Sequence, residues 1–400
     1  MIKRYFINNL YLILIIISIK TFGQYPFSNK VIVGAKQTNL YIPILKNKNV
    51  AIIANQSSVI DNTHLIDSLL SVNIKIKKIF CPEHGFRGVA DAGKLINNNI
   101  DTKTGLPIIS LYGKHKKPTK EDLKDIDIII FDIQDVGVRF YTYISTLHYV
   151  MESCAENSIP IIIMDRPNPN GYYIDGPVLD TSIAKSFIGM HPVPLVYGMT
   201  IGEYALMING EKWLKNKIQC DISVITCKNY NHNTIYKLPI KPSPNLPNML
   251  SIILYPSLGL FEGTIMSIGR GTDFPFQVFG HPKLQKTDFT FTPKSKVGAT
   301  NPKYKNTICY GFDLRNISLS SFIDKKEIQL NFLIKSYKSL KRKNNFFNNY
   351  FYRLAGTKTL QQQIEKGLSE FEIRKSWQND INNFKKIRKK YLLYTDFNLY

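Results

Sequence analysis

What the sequence lacks excludes several classes of protein. Among 400 residues there are five cysteines, an odd number, and their spacing is not that of a metal site, so neither a disulfide framework nor a cysteine-bound metal is expected. No G-x-G-x-x-G motif opens a helix, which argues against a dinucleotide. The absence of low-complexity tracts indicates a packed globular chain. We therefore expect a folded protein without a metal or cofactor.

Acidic residues are scarce, 30 against 52 lysines and arginines, and the formal net charge is +22. Such a charge is typical of nucleic-acid-binding proteins. Most of the lysines are scattered, however, and only residues 385–390 form a dense basic cluster. We expect a solvated surface with a secondary attraction to anionic polymers, and no nucleic-acid partner.

The N-terminus has the pattern of an export signal. Lys3 and Arg4 precede an apolar run over residues 10–19, and the small residue Gly23 allows cleavage before Gln24. The run is shorter than the roughly 20 residues that span a bilayer, although an uncleaved anchor is the alternative. No later segment is long and apolar enough to span. We expect a signal peptide over 1–23, export to the periplasm or medium, and no stable membrane insertion of the mature chain.

Apolar runs alternate with helical patterns from residue 50 onward. Strands are predicted at 50–54, 74–80, 107–111, 126–133 and 159–164, with helices near 65–70 and 139–157 and a helix start at Pro118. Continuous apolar strands separated by helices indicate a parallel sheet covered on both faces. We predict an α/β protein with a Rossmann-like domain over 24–246.

The second half begins after a rigid segment, 242–247, that contains three prolines. A Gly-rich stretch over 262–271, strand-like residues near 309–314 and helical patterns at 321–340 and 360–368 follow. This order predicts a smaller α+β domain over 247–400.

Polar side chains follow nearly every predicted strand of the first domain. In an open α/β sheet, ligands bind beyond the carboxyl ends of the strands, so these side chains are expected at one edge. They are Asn55, Glu83, His84, Tyr112, Asp132, Gln134, Asp135, Asp165, Arg166 and Asn168. A purely structural sheet has no need of such a set, so a functional site is predicted at this edge.

Carboxylates grouped with amides and aromatic rings suit glycoside hydrolysis, in which one carboxylic acid protonates the leaving oxygen and a second carboxylate acts as nucleophile or base. Glu83 lies on a short loop and is the first candidate for the acid. His84 either orients Glu83 or has a structural role. Asp132 and Asp135 are candidates for the second carboxylate, and Asp135 is preferred because one of the two is expected to cap a helix or bind backbone amides.

Each of the other candidate residues has a functional and a structural interpretation. Asp165 and Arg166 either bind a substrate carboxylate or form an internal ion pair. Glu203 has the spacing of a capping box after Thr200, which explains it as well as substrate binding does. Glu262 and Arg270, in the Gly-rich stretch, either contact a sugar or stabilise turns. The aromatic residues Phe140, Tyr141 and Tyr143 either stack on sugar rings or belong to the core.

Taken together, these residues resemble a known family, the exo-β-N-acetylmuramidases of the NamZ type. The resemblance extends over nearly the whole mature chain, because ten motifs occur in the family's order. They are CPEHGFRG (81–88), TGLP (104–107), SLYG (110–113), FDIQDVGVRFYTY (131–143), DRPNP (165–169), GMTIGE (198–203), PSPN (242–245), EGT (262–264), GRGT (269–272) and YLLY (391–394).

The resemblance implies a glycoside hydrolase that releases N-acetylmuramic acid from the non-reducing end of peptidoglycan fragments. It implies an N-terminal Rossmann-like catalytic domain, a C-terminal domain that closes the cleft, and Glu83 as the acid. Substrate binding is expected from Asn55, which follows the first strand. Within the shared motifs it is expected from Arg87, Asp132, Gln134, Arg139, Tyr143, Asp165, Arg166, Asn168, Glu203, Asn245, Glu262 and Arg270.

Two other functions fit the same residues. One is a metal-dependent hydrolase with a divalent ion between Glu83, His84, Asp132 and Asp135. The other is a muropeptide-binding protein that has kept the cleft without turnover.

Overall fold

A computed structural model describes residue 28 and residues 30–83, 85–86, 99–285, 287–340 and 345–397. The predicted signal peptide over 1–23 lies outside the described residues, as do His84 and Arg87. Within the described ranges no helix has the length and apolarity to cross a bilayer. All five cysteines are buried thiols without a disulfide bond.

Twelve strands and eleven α-helices make up the described chain. The strands are β1 Val50–Ala54, β2 Val59–Ile60, β3 Thr63–His64, β4 Ile76–Cys81, β5 Asn99–Ile100, β6 Pro107–Ser110, β7 Ile128–Asp132, β8 Ile161–Met164, β9 Ile222–Ile225, β10 Val278–His281, β11 Phe289–Phe291 and β12 Cys309–Asp313. The helices are α1 Thr38–Leu45, α2 Leu65–Ser71, α3 Tyr143–Glu156, α4 Ile201–Gly210, α5 Met249–Leu258, α6 Leu319–Lys325, α7 Leu330–Ser339, α8 Phe351–Ala355, α9 Thr359–Glu365, α10 Glu370–Ser376 and α11 Gln378–Arg388.

The central element is a seven-stranded sheet in the order β5-β6-β4-β1-β7-β8-β9. Every pairing is parallel except that of β5 with β6. Alternate residues of β1 face opposite cores, Ile52 on one side and Ile53 on the other, which is why the strand is apolar throughout. A three-stranded antiparallel sheet, β10-β12-β11, lies in the second half. The predicted α/β fold class is confirmed.

Two predicted elements differ from the structure. The helix expected from residue 139 begins at Tyr143, because the preceding residues pair with an extended segment: Val138 bridges Val196, and the Arg139 amide donates to the Leu195 carbonyl. The helix start predicted at Pro118 is wrong, since residues 120–125 form only turns. The chain leaves the helical conformation there at Asp125, whose φ is 59°.

The two halves share one hydrophobic core, and Arg139 joins them. Its guanidinium is fully buried and donates to the carbonyls of Pro177 and Val193 (2.7 and 2.8 Å) and of Leu354 and Ala355 (3.0 and 2.7 Å). The following Gly356 has φ 80°, and a Cβ there would lie 2.4 Å from the arginine Nη2. Arg139 therefore holds backbone rather than substrate, contrary to the prediction.

Candidate active site

A cleft of about 460 Å³ lies between residues of the first and second halves. This volume is within the range of about 300–1,000 Å³ that is usual for small-molecule sites. Among the residues that line it are Glu83, Tyr112, Thr142, Asn245, Tyr255, Glu262, Arg270 and Tyr350. Polar groups from both halves thus converge on one concave surface.

The position of Glu83 follows from the strand register. Cys81 of β4 lies opposite Ser110 of β6 in a parallel pairing. Glu83 and Tyr112 are each two residues further along, so both emerge side by side beyond the carboxyl ends of neighbouring strands. This is the edge at which open α/β sheets bind ligands.

Two hydroxyl groups hold the Glu83 carboxylate. Thr142, the residue before α3, donates from Oγ1 to Glu83 Oε2 at 2.9 Å. The Tyr112 phenol also hydrogen bonds to Glu83. Burial, followed by the charge of Glu83 and this hydrogen bond, raises the pKa of Tyr112. Tyr112 therefore stays a neutral donor, and Glu83 is fixed in orientation within the cleft.

Within the part of the chain that the structure describes, Glu262 is the other carboxylate that lines the cleft, and it lies in a short 3-10 helix, Gly259–Gly263. Its Oε1 accepts from Arg270 Nε (3.0 Å) and Nη2 (2.7 Å). Burial lowers the pKa of Arg270, but the neighbouring Glu262 carboxylate more than offsets this, and the pKa is raised. Gly271, with φ 82°, allows the tight turn after Arg270, where a Cβ would meet the Lys294 carbonyl at 2.5 Å.

Aromatic rings form one side of the cleft. Phe140 and Tyr141 line it, together with Tyr255 and Phe276. Tyr255 packs edge-on against Phe140 at 5.1 Å and against Phe276 at 4.9 Å between ring centroids. Arg270 lies over Phe276 at 5.0 Å from the ring centroid. An apolar wall beside charged groups is the usual composition of a small-molecule site.

Asp135, preferred as the second catalytic carboxylate, does not line the cleft. It is 5% exposed, and its Oδ2 accepts from the Gly137 amide at 2.6 Å and from the Tyr197 hydroxyl. Burial raises its pKa to about 6 in spite of these hydrogen bonds. Asp135 lies in the buried layer next to the site, so the cleft places Glu262, rather than Asp135, on the same surface as Glu83.

Asp132 and Arg166 form an internal ion pair, the structural alternative considered from the sequence. Arg166 Nε and Nη2 donate to the two Asp132 carboxylate oxygens at 2.6 and 2.9 Å, and both side chains are buried. Nη2 also donates to the Val59 carbonyl at 3.1 Å. Neither residue lines the cleft, and the guanidinium is occupied, so it does not bind the substrate carboxylate there.

Asp165 and Glu203 stabilise the start of α4. Asp165 accepts from the Thr200 hydroxyl and the Gly202 amide at 2.8 and 2.9 Å. Glu203 forms the predicted capping box with Thr200 and also accepts from His232 Nε2 at 3.0 Å. Both carboxylates are fully buried, so their role is structural.

The remaining predicted contacts form a hydrogen-bonded layer behind the cleft. Asn55 Nδ2 donates to the Tyr143 hydroxyl at 2.9 Å. Gln134 donates to the carbonyls of Asp135 and Pro167, and Asn168 to that of Met199. These side chains fix the loops that follow the strands and do not reach the cleft.

Of the predicted site residues, the structure brings four together in the cleft: Glu83, Asn245, Glu262 and Arg270. Tyr112, which the sequence places directly after a strand, also lines the cleft. Thr142, Tyr255 and Tyr350 line it as well and are not singled out by the sequence. Thr142 resembles an ordinary residue before a helix, and Tyr350 has no neighbouring motif.

Within the described residues no group of three or more His, Cys, Asp or Glu side chains is placed to hold a metal ion. Asp132 is bound to Arg166, whereas Asp135 is bound to Tyr197. His84, a ligand of the metal-dependent alternative, lies outside the described residues.

Comparison with known families identifies both halves of the chain. Residues 50–250 match the N-terminal model of exo-β-N-acetylmuramidase NamZ, and residues 253–394 match its C-terminal model. The chain belongs to this family. It is therefore a glycoside hydrolase of the exo-β-N-acetylmuramidase type.

Individual relatives cover most of the chain. It is 41% identical over 372 residues to the peptidoglycan β-N-acetylmuramidase NamZ of Bacillus subtilis (strain 168), and the aligned region covers 88% of each protein. Two DUF1343 family proteins of Bacteroides fragilis NCTC 9343 have similar crystal structures. The first is 50% identical with a TM-score of 0.86, and the match covers 92% of this chain and 99% of that chain. The second is 30% identical with a TM-score of 0.74, and the match covers 91% of this chain and 99% of that chain.

Proposed function

We propose that this NamZ-family hydrolase removes N-acetylmuramic acid from the non-reducing end of peptidoglycan fragments, with Glu83 as the general acid. The observation that carries the assignment is the placement of Glu83 in the cleft, where Thr142 and Tyr112 hold its carboxylate. The substrate class is supported by the B. subtilis relative, which is named a peptidoglycan β-N-acetylmuramidase.

In the proposed reaction the protonated Glu83 carboxyl donates its proton to the glycosidic oxygen as the bond to C1 breaks. The leaving sugar departs with that proton as a free hydroxyl. Positive charge develops on the ring oxygen and C1, and a carboxylate across the cleft stabilises it. We assign this second role to Glu262, because among the described residues it is the carboxylate that shares the cleft with Glu83, and Arg270 holds it in place. A water molecule then adds its oxygen to C1 to complete the released N-acetylmuramic acid, and the proton that the water loses restores the Glu83 carboxyl group.

The direct test is hydrolysis of a chromogenic β-N-acetylmuraminide by the purified protein. Release of the chromophore, unchanged after dialysis against EDTA, is the expected result. Loss of activity on EDTA treatment with recovery on adding a divalent ion would instead support the metal-dependent alternative. Binding of the glycoside without release would support a muropeptide-binding protein.

We also propose that the chain is exported and cleaved before Gln24. The basic start, the apolar run over 10–19 and an extracytoplasmic polymer as substrate support this proposal. N-terminal sequencing of protein recovered from the periplasm or medium should begin at Gln24. Recovery of the intact chain from the membrane fraction would contradict cleavage and favour an anchor.

A further inference from the structure

The cleft contains a cation that the hydrolytic mechanism does not use. Lys116 lies in the loop after β6 and lines the cleft on the same side as Tyr112. Its amine lies 4.9 Å from the centroid of the Phe187 ring, and Phe187 also lines the cleft. This contact holds the ammonium at the cleft surface without neutralising its charge.

Two other cations near Lys116 are paired. In the cleft, Arg270 is bound to Glu262 through two nitrogen atoms. In the same loop, Lys117 is bound to Glu152 and Glu156 at 2.7 and 2.6 Å. No ion pair connects Lys116 with any residue that the structure describes. Among the described residues that line the cleft, Lys116 is therefore the cation that can accept a carboxylate from a ligand without first giving up a protein partner.

Two aromatic side chains that line the cleft, Tyr112 and Phe187, connect Glu83 with Lys116. Tyr112 hydrogen bonds to Glu83, and its ring packs edge-on against Phe187 at 6.1 Å between centroids. Phe187 is in turn stacked on Tyr149 at 6.2 Å, which fixes its position. The rings of Tyr112 and Phe187 thus connect the acid with the ammonium through successive contacts. A sugar whose glycosidic oxygen is at Glu83 would extend along these rings toward Lys116.

We propose that Lys116, supported by Phe187, binds the lactyl carboxylate of the terminal N-acetylmuramic acid and so selects this sugar. The inference rests on the proposed function and deepens it. N-acetylmuramic acid differs from N-acetylglucosamine by the lactyl ether on O3, whose carboxylate is its only charge. C3 is two ring atoms from C1, and the lactyl ether carries the carboxylate further from the scissile bond, so this carboxylate requires a cation away from the general acid. Lys116 meets both requirements.

The test compares two glycosides that differ only in charge: a chromogenic β-N-acetylmuraminide with a free lactyl carboxylate and its neutral N-methylamide. The variants are Lys116→Gln, Lys116→Arg and, as a matched control, Lys114→Gln, since Lys114 is exposed and lies outside the cleft lining. In Lys116→Gln we expect the preference for acid over amide, measured as the ratio of kcat/KM values, to fall about 10- to 100-fold, mainly through KM. Lys116→Arg should retain most of the preference, and Lys114→Gln all of it.

Equal losses on the acid and the amide, or an unchanged preference, would overturn the assignment of Lys116. Calorimetric binding of free N-acetylmuramic acid and its methylamide separates this inference from the proposed function, because it requires no turnover. If neither glycoside is hydrolysed but the acid binds more tightly in a Lys116-dependent manner, the subsite stands and the hydrolytic proposal falls. If hydrolysis is normal and the preference does not depend on Lys116, only the subsite falls.

Discussion

At the scale of single residues, the chemistry depends on a small number of oriented groups. Glu83 has two hydroxyl partners, and Glu262 has a guanidinium. Each carboxylate is thus held at the cleft surface by a different kind of donor. A general acid must point its proton at the leaving oxygen, so the donors that orient Glu83 should affect the rate even though they do not touch the substrate.

Thr142→Val should lower kcat about tenfold, because a hydrogen bond to a charged group is lost while the size of the side chain is retained. Thr142→Ser keeps the hydroxyl and should stay within about threefold of the parent rate. Steady-state kinetics on the β-N-acetylmuraminide measure both. A full rate in Thr142→Val, with thermal melting unchanged, would show that the Thr142 hydroxyl does not position Glu83.

The sequence predicts the location of these residues better than their roles. The polar groups after the strands do gather at one edge, but Asp132 turns to Arg166, and Asp165 turns to the amides at the start of α4. Each finds a buried partner from another segment, which a local pattern cannot reveal. Glu83 differs because it lines the cleft, where the described Thr142 and Tyr112 hydroxyls hydrogen bond to its carboxylate.

At the scale of elements, β4 and β6 place Glu83 and Tyr112 side by side, and the start of α3 brings Thr142 to them. The strands were predictable because both faces of the sheet are buried, which requires continuous apolar runs. The start of α3 was not, because residues 138–139 pair with a segment more than 50 residues away. That tertiary pairing overrides a helical pattern in the sequence.

Arg139→Met should reduce the free energy of unfolding by at least about 3 kcal/mol, because four buried carbonyls lose their donors. Urea-induced unfolding followed by tryptophan fluorescence measures the change. Arg353→Met is the matched control: Arg353 lies in α8 beside Leu354 but is exposed, so its loss should cost less than about 0.5 kcal/mol. Similar losses in the two variants would contradict the role assigned to Arg139.

At the scale of the whole molecule, two halves enclose one cleft and share one core. Family models match both halves, 50–250 and 253–394, and the division near residue 246 remains a prediction. The core also buries carboxyl groups: burial raises the pKa of both Asp135 and Asp165 to about 6. The free energy of unfolding should therefore depend on pH through these two groups.

The sign of this dependence can be tested with Asp135→Asn. The folded state holds the Asp135 proton more tightly than the unfolded chain does, since the pKa is raised from its usual 3.8 to about 6. The contribution of this group to the free energy of unfolding is therefore largest below about pH 4 and is lost as pH rises to about 6. From pH 4 to pH 7 the stability of Asp135→Asn should rise relative to the parent by up to about 3 kcal/mol.

Urea unfolding at several pH values measures the difference in free energy of unfolding between Asp135→Asn and the parent. The hydrogen bonds that Asp135→Asn alters change this difference by the same amount at every pH. Its dependence on pH therefore reports the titration of Asp135. Asp288→Asn serves as the control, because Asp288 is exposed. A difference between Asp135→Asn and the parent that does not change with pH would mean that Asp135 titrates normally in the folded protein.

The most direct measurement of the central claim is the dependence of Glu83→Gln on the leaving group. A dinitrophenolate departs without a proton, whereas N-acetylglucosamine requires one. We predict that Glu83→Gln lowers kcat about 10²- to 10⁴-fold on the disaccharide in which N-acetylmuramic acid is β-linked to N-acetylglucosamine, but less than about tenfold on the dinitrophenyl β-N-acetylmuraminide. Equal losses on both substrates, or full activity on the disaccharide, would contradict the assignment of Glu83 as the general acid.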